Sequence, residues 1–258
     1  MTTFTVGSHP AHAAFDGTNV WVTNPDNNSV SRINVATNAV SVLHTGSGTR
    51  PHGIVFDGTA FWVTMSGSQS LVRYSLTGST LSTLPLTETA NMQPYDIGYD
   101  GRFLYSVAND SASPSTLNLS EVIRIDPITR EVRHNSLPIE ARYFDIAIGP
   151  TMLYAADPIN GVVAFIDPTT LDVSNTFVLN SSGHASGLAF DGRSVWVAES
   201  STIFRLPAMR CPCSAFAPKP TPKPVAQKVL FDHQQEAREQ SLMPAAAFVA
   251  RLDLLRAR

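Results

Sequence analysis

The sequence predicts an all-β protein: a five-bladed β-propeller closed by an N-terminal strand, with a Pro-rich linker and a helical C-terminal tail. Three observations lead to this prediction: a repeat of about 42 residues, an Asp-Gly turn beside an aromatic-rich strand in four of the five copies, and a change of composition after Leu206. Repeats of this length with four short strands each are typical of propeller blades.

The repeat is clearest at its Asp-Gly turn. Five segments align on it: AFDGTNVWV (14–22), VFDGTAFWV (55–63), GYDGRFLYS (98–106), AIGPTMLYA (147–155) and AFDGRSVWV (189–197). Asp-Gly between alternating apolar residues is a strong hairpin signal. We therefore predict that the residues on either side of the turn form the first two strands of each blade, A and B.

A second signature completes four of the five repeats. It reads SRINVATNAV from residue 31, VRYSLTGSTL from 72, IRIDPITREV from 123 and AFIDPTTLDV from 163. Alternation such as Val-x-Arg-Ile is typical of strands with one buried face, so these segments are interpreted as strands C and D. Each strand B carries one large aromatic residue, which we expect to pack between neighbouring blades: Trp21, Trp62, Tyr105, Tyr154 and Trp196.

The fifth repeat supplies only three strands and ends at Leu206. The segment Thr2–Val6 resembles the strand D segment Asn175–Leu179, so we predict that it adds the missing fourth strand. Such a strand would close the ring and remove an exposed sheet edge. The propeller domain is therefore predicted to span residues 1–206.

Composition excludes several classes of protein. With 43% hydrophobic and 15% charged residues, most of the chain is too apolar to be disordered. No apolar run approaches the ~18 residues of a membrane helix, so we expect no membrane span. Residues 1–206 hold ten arginines, no lysine and seventeen acidic residues, a net charge of −7 without a basic stripe. We therefore expect no nucleic-acid partner.

The remaining residues carry a net charge of +4 and have a different composition. Residues 207–224 are predicted to be a Pro-rich extended linker, and residues 225–258 a helical anchoring tail. Its apolar face comprises Phe248, Val249, Leu252 and Leu255. A lone helix of this length is marginal in water, so the tail needs a partner, either the propeller itself or other protein subunits of an assembly.

One face of a propeller gathers the loops that precede strand A and follow strand B. Polar residues of these loops, most of them at equivalent positions of the repeat, form a candidate ligand-binding set: His9, His12, Arg50, His52, Gln93, Asp96, Arg142, Asp145 and Asp157. Polar groups that converge on a concave face favour a binding site. The alternative interpretation is a water-filled funnel lined by solvated loop residues.

The repeat resembles the NHL/YVTN-type propellers, most closely the virginiamycin B lyase-like family. The residues that carry the resemblance are Pro51–Ile54, Asp57-Gly58, Phe61–Thr64 and Val72–Tyr74, and it extends over residues 1–206. It implies a carbon–oxygen lyase that uses Mg²⁺, with His184 and Glu199 as the matching catalytic residues. The sequence departs from that family, which has seven blades, and Asn24, Met65 and Asp157 stand where an aromatic-Thr-Glu ending is expected.

No other catalytic motif is found in the sequence, whether a Gly-x-Ser-x-Gly element, a phosphate-binding loop or spaced zinc ligands. The sequence therefore favours a non-enzymatic binding or structural module without a cofactor, attached to a larger assembly by its tail. No secretory signal is seen, and a phage virion, as a tail or capsid decoration, is the setting we favour. Its funnel face would contact a host receptor or glycan. The alternatives are the Mg²⁺-dependent lyase and a lectin-like glycan-binding protein.

Overall fold

The computed structural model describes residues 2–86, 91–111, 119–137, 141–179, 185–199, 202–208 and 229–230. These residues form short β-strands and one 3-10 turn at Pro25–Asn27. The strands, in chain order, are β1 (His12–Phe15), β2 (Asn19–Asn24), β3 (Ser29–Asn34), β4 (Val40–His44), β5 (Pro51–Phe56), β6 (Phe61–Met65), β7 (Ser70–Tyr74), β8 (Thr80–Pro85), β9 (Met92–Tyr99), β10 (Leu104–Asp110), β11 (Ser120–Ile125), β12 (Val132–Ser136), β13 (Asp145–Ile148), β14 (Leu153–Asp157), β15 (Val162–Ile166), β16 (Val173–Val178), β17 (Ala185–Phe190), β18 (Ser194–Glu199), β19 (Thr202–Pro207) and β20 (Val229–Leu230).

The strands form five antiparallel sheets, one for each sequence repeat, which confirms the five-bladed propeller. Blades one to four consist of β1–β4, β5–β8, β9–β12 and β13–β16, and blade five consists of β17–β19. The strand β20 adds to blade one beside β1, where Val229 lies opposite Ala13. The inner strands of successive blades contact one another from β1 to β17.

Hydrophobic side chains fill four interfaces between consecutive blades. At the first of them the ring of Trp21 in blade one lies 4.7 Å from that of Phe61 in blade two. The strand B aromatics of blades one to four are at most 4% exposed, as expected for side chains packed between blades: Trp21, Trp62, Tyr105 and Tyr154. Burial of these large side chains holds each blade against the next.

The Asp-Gly turns form because the aspartate satisfies several donors at once. In blade two, Asp57 Oδ1 accepts the N–H groups of Thr59 and Ala60 at 2.7 and 2.8 Å. Its Oδ2 accepts the indole N–H of Trp62 at 2.8 Å. Gly58 has φ +95°, a backbone conformation that L side chains rarely adopt. The same aspartate bonds recur at Asp16, Asp100 and Asp191.

In the four blades with an Asp-Gly turn, an arginine of strand C lies directly across from the strand B aromatic. The guanidinium of Arg73 stacks over the ring of Trp62 at 5.3 Å, and that of Arg205 over Trp196 at 5.5 Å. In blade four the strand B aromatic lacks both the aspartate and the arginine, because Gly149 and Phe165 stand at their positions. Its Tyr154 packs edge-to-face on Phe165 instead, at 4.9 Å.

The prediction that an N-terminal strand closes blade five is wrong. Residues 2–11 form no strand, and among the described residues β19 pairs only with β18. Phe4 and Val6 pack instead on the face of blade one that is turned away from blade two, against a cluster of Ala13, Val22 and Ile33. Apolar burial, rather than strand pairing, therefore fixes this segment, and the alternation in Thr2–Val6 serves one buried face.

The helix predicted from residue 225 is wrong at its two described residues, because Val229–Leu230 is a strand. The other residues of 225–258, including Phe248, Val249, Leu252 and Leu255, lie outside the described residues, as does the Pro-rich linker beyond Ala208. In the part of the chain that the structure describes, no helix is long and apolar enough to cross a membrane.

Packing between blades five and one differs from the other four interfaces. None of the hydrophobic clusters among the described residues contains side chains of both blades. Trp196, expected to pack between blades like its counterparts, is 38% exposed. Blade five is therefore covered on the side that faces blade four and open on the other.

Candidate functional site

The inner strands of blades two, three and five each carry a β-bulge at an equivalent place. In blade two the pairing with β6 shifts between Pro51 and Ile54, so that His52 and Gly53 oppose one residue. In blade three the shift falls at Tyr95 and Asp96. A bulge breaks the alternation of a strand and re-aims the side chains within it. The bulged residues lie where the loop preceding strand A enters the ring.

Two of the bulged residues, His52 and Tyr95, belong to a row of rings that extends across four blades. The ring of His52 lies 5.2 Å from that of His12 and 4.7 Å from that of Tyr95, and the Tyr95 ring lies 4.6 Å from that of Phe144. The two histidines are buried, whereas Tyr95 and Phe144 are half-buried. The Tyr95 hydroxyl donates to Gln93 Oε1 at 3.2 Å. We call His12, His52, Tyr95 and Phe144 the aromatic row.

Sequence reasoning identified the two histidines of the row but missed Tyr95 and Phe144. A signal was present, because His52, Tyr95 and Phe144 each stand five residues before the anchor of their repeat. Apart from His52, the residues chosen from the sequence lie four or seven residues before the anchor or, for Asp157, eight residues after it. The bulges that hold His52 and Tyr95 leave no mark in the hydrophobic pattern.

Two of the three buried aspartates of the set link successive blades. Asp96 Oδ2 accepts the backbone N–H of Ile146 in blade four at 3.0 Å. Asp145 Oδ1 accepts the same N–H, and its Oδ2 accepts the N–H of Leu188 in blade five. His12 Nδ1 lies 3.3 Å from Asp96 Oδ1. Burial raises the pKa of Asp145 to about 7. Both carboxyl groups therefore act as connections between blades.

Blades one to three are joined by hydroxyl groups at the equivalent place. Thr23 of β2 donates to the carbonyl of His52, and Thr64 of β6 donates to that of Tyr95. The inner strands of blades two and three come so close that a Cβ on Gly53 would lie 2.5 Å from the Tyr95 carbonyl oxygen. A side chain at residue 53 would therefore force the two blades apart.

Asp157 and Arg142 are also held by the fold. Asp157 is buried, and its Oδ2 accepts the backbone N–H of Arg142 at 3.0 Å while its Oδ1 accepts that of Ile159 at 2.8 Å. The Arg142 guanidinium donates to the carbonyl of Asp110 in blade three at 2.8 Å. These two residues fix the loop that enters blade four.

The polar residues furthest from the ring centre face solvent. His9, 69% exposed, pairs with Asp26, and the guanidinium of Arg50 lies 4.0 Å from the same carboxylate. Exposed pairs of this kind contribute little to stability. The expected set is thus divided between exposed loop residues (His9, Arg50) and buried or half-buried residues that support the ring.

Of the two residues that the lyase resemblance implies, one can be placed. Glu199 ends β18 opposite Ala185 and is buried, and its Oε1 has no hydrogen-bond partner among the described residues. His184, which directly precedes Ala185 in the chain, lies outside the described residues. Within the described ranges no three His, Cys, Asp or Glu side chains are grouped so that they could hold a metal ion.

Comparison with solved structures shows the β-propeller fold. The chain is similar to selenomethionine-substituted virginiamycin B lyase from Staphylococcus aureus, with 19% identity and a TM-score of 0.65 over 78% of this chain and 67% of that one. It is also similar to the Cps50 (Swd1) β-propeller domain from Myceliophteria thermophila, with 12% identity and a TM-score of 0.61 over 89% and 75% of the two chains. A third similar structure is Kuenenia stuttgartiensis hydrazine synthase, with 18% identity and a TM-score of 0.57 over 72% and 60%.

No family model matches the sequence, and no curated protein matches it. At such low identities the structural likeness extends to the fold alone, since one propeller architecture supports many activities. The function must therefore be argued from this chain's own residues.

Proposed function

We propose that this protein is a non-enzymatic binding module, whose loop face binds a ligand and whose C-terminal tail attaches it to other subunits of a larger assembly. The observation that carries the proposal is the use of the buried aspartates on that face. Asp96 and Asp145 accept N–H bonds from neighbouring blades, and Asp157 holds the loop at Arg142. Carboxyl groups bonded in this way support the fold rather than transfer protons to a substrate.

The ligand class that suits the loop face best is a glycan. Tyr95 and Phe144 present adjacent, half-buried rings, and Gln93 supplies a polar group beside them, bonded to the Tyr95 hydroxyl. Flat apolar surfaces flanked by a few polar groups suit a small, partly polar ligand. A host-cell glycan as ligand fits the virion setting, in which the apolar face of the tail (Phe248, Val249, Leu252, Leu255) would hold the propeller on the particle.

A glycan array tests this proposal. The intact protein is expected to bind a restricted group of glycans without added metal or cofactor, and the double variant Tyr95→Ala with Phe144→Ala is expected to lose that binding. The control is Ile128→Ala, a change to a fully exposed side chain in the turn between β11 and β12. Absence of binding, or equal binding by the double variant, would contradict a glycan site at the aromatic row.

A second candidate is the Mg²⁺-dependent lyase, which the environment of Glu199 favours. A buried carboxylate oxygen without a hydrogen-bond partner among the described residues is costly unless it serves a purpose, and in the sequence His184 directly precedes Ala185, which lies opposite Glu199. The test is incubation with quinupristin and Mg²⁺, followed by chromatography. Consumption that stops in His184→Ala and Glu199→Ala, with both variants folded, would establish the lyase in place of the binding module.

A further inference from the structure

Blade five presents an apolar face that its counterparts cover. The face comprises alternate residues of its three strands, all exposed: Ala189, Trp196, Ala198, Ile203 and Arg205. Trp196 is 38% and Ile203 64% exposed, whereas the equivalent aromatics of the other blades are buried under the following blade. Because the other face of the same sheet is buried against blade four, the exposure reflects a missing neighbour rather than an outward-facing surface.

We propose that residues 209–228 of this chain cover the open face of blade five. The first argument is where the chain leaves and re-enters the described structure. It leaves at Ala208, directly after β19, and re-enters at Val229, which pairs with β1 of blade one. The segment therefore connects the two blades on either side of the open interface.

Length permits this path. A fully extended segment of 20 residues reaches about 70 Å. Packed sheets lie only about 10 Å apart, so the segment is long enough to follow the face of blade five before it reaches β20.

The chemistry of the segment matches the face. Prolines occur at every second residue from Pro218 to Pro224, and Phe216 is the only aromatic residue of the segment. Pro-rich chains adopt an extended conformation at low entropic cost and dock on surfaces lined with aromatic side chains. Trp196, with Arg205 stacked against its ring, provides such a surface.

Blade one, at the other end of the series of blades, also has a face that no neighbouring blade covers among the described residues. The free face of blade one is covered by the N-terminal segment, through Phe4 and Val6. Arrays of repeats need a cap at each end, because the terminal units bury one face less than the internal ones. In this proposal the first residues of the chain cap blade one and residues 209–228 cap blade five.

Fluorescence quenching by iodide tests the proposal in the full chain. The protein has three tryptophans, and Trp21 and Trp62 are at most 4% exposed, so only Trp196 can become accessible. The expected result is little quenching in the full chain. Replacement of residues 209–228 by a Gly/Ser linker of equal length is expected to make about a third of the emission quenchable, since one of the three tryptophans is uncovered. Trp196→Phe in the replacement variant should abolish that fraction.

Three other outcomes would overturn the proposal. Strong quenching of Trp196 in the intact chain would mean that nothing covers the face. Protection that disappears in Phe248→Asp with Leu252→Asp, but persists in the linker replacement, would make residues beyond 230 the occupant. Protection that depends on protein concentration would indicate a second copy of the chain.

Discussion

The aspartate of the Asp-Gly turn connects three parts of a blade. Asp57 closes its own turn, fixes the indole of Trp62 and accepts from the guanidinium of Arg73 at 3.1 Å. The aspartate, the aromatic and the arginine lie on three different segments of the repeat. Their recurrence in register therefore explains why the sequence pattern was strong enough to identify the blades.

The two buried tyrosines of strand B provide a matched test of the turn. The Tyr105 hydroxyl donates to Asp100 at 3.1 Å, whereas the Tyr154 hydroxyl has no partner among the described residues. Tyr105→Phe is expected to lower the free energy of unfolding by about 1–2 kcal/mol, because a bond to a charged group is lost. Tyr154→Phe is expected to leave it unchanged or raise it. Urea unfolding measures both, and an equal loss in the two variants would contradict the assigned bonds.

The turn aspartates also determine how stability depends on pH. Burial alone would raise the pKa of Asp57, but bonds from Thr59, Trp62 and Ala60 hold that pKa below its ordinary value. The pKa of Asp16 is lowered by equivalent bonds, against the effect of burial. A carboxyl group with a lowered folded-state pKa stabilises the fold above about pH 4.

That stability is lost as the pH falls through the lowered pKa, so the melting temperature should drop steeply below about pH 4. The Asp57→Asn variant should have a lower melting temperature than the unchanged protein at neutral pH. Its melting temperature should also fall less in acid, because one of the contributing carboxylates is gone. Thermal unfolding followed by circular dichroism measures both effects. The same acid dependence in Asp57→Asn as in the unchanged protein would contradict this account.

At the level of single residues, the sequence was informative wherever a side chain served the repeat. The anchor aspartates and the strand B aromatics of blades one to four were predicted from their spacing and confirmed. Tyr95 was missed because it lies in a β-bulge, and a bulge depends on the pairing of two strands rather than on a local pattern. Phe144 was missed because it lies in the loop before β13, where no strand alternation places it. Asp96 and Asp145 are predicted to bind a ligand, which stays a prediction, and the structure adds that their bonds join blades.

Among the structural elements, the N-terminal segment departs most from its prediction. Its alternating apolar residues suit a strand, but Phe4 and Val6 bury their side chains against the cluster of Ala13, Val22 and Ile33. A short alternating segment can satisfy its apolar face by packing alone, without a partner edge. Sequence alternation could not distinguish the two arrangements, because both bury the same residues.

The N-terminal segment is expected to stabilise the fold through its side chains rather than through backbone pairing. Phe4→Ala is expected to lower the free energy of unfolding by about 1–2 kcal/mol, less than for a fully buried ring because Phe4 is half-buried. Thr5→Ala, at an exposed neighbouring residue, should have almost no effect. Chemical denaturation compares the two variants, and equal losses would favour a backbone-paired strand.

At the scale of the whole molecule, the described residues form five blades, and hydrophobic clusters fill four of the interfaces between them. The number of blades and their order followed from the repeat alone, because each repeat folds into one sheet and packs on the next. The state of the fifth interface could not be predicted in the same way. It depends on the curvature accumulated over all blades and on residues after Leu206, which do not belong to the repeat.

Hydrogen exchange of the native protein, resolved by blade, tests this arrangement most directly. Among the described residues, blades two to four share a hydrophobic cluster with a blade on both sides and blades one and five on one side only, so their strands are expected to open at different cost. The account predicts the strongest protection in β9–β11 and β14–β15, and weaker protection in β17–β19 even with a covering segment on blade five. Equal protection of all five blades would contradict an open fifth interface and indicate a uniformly closed ring.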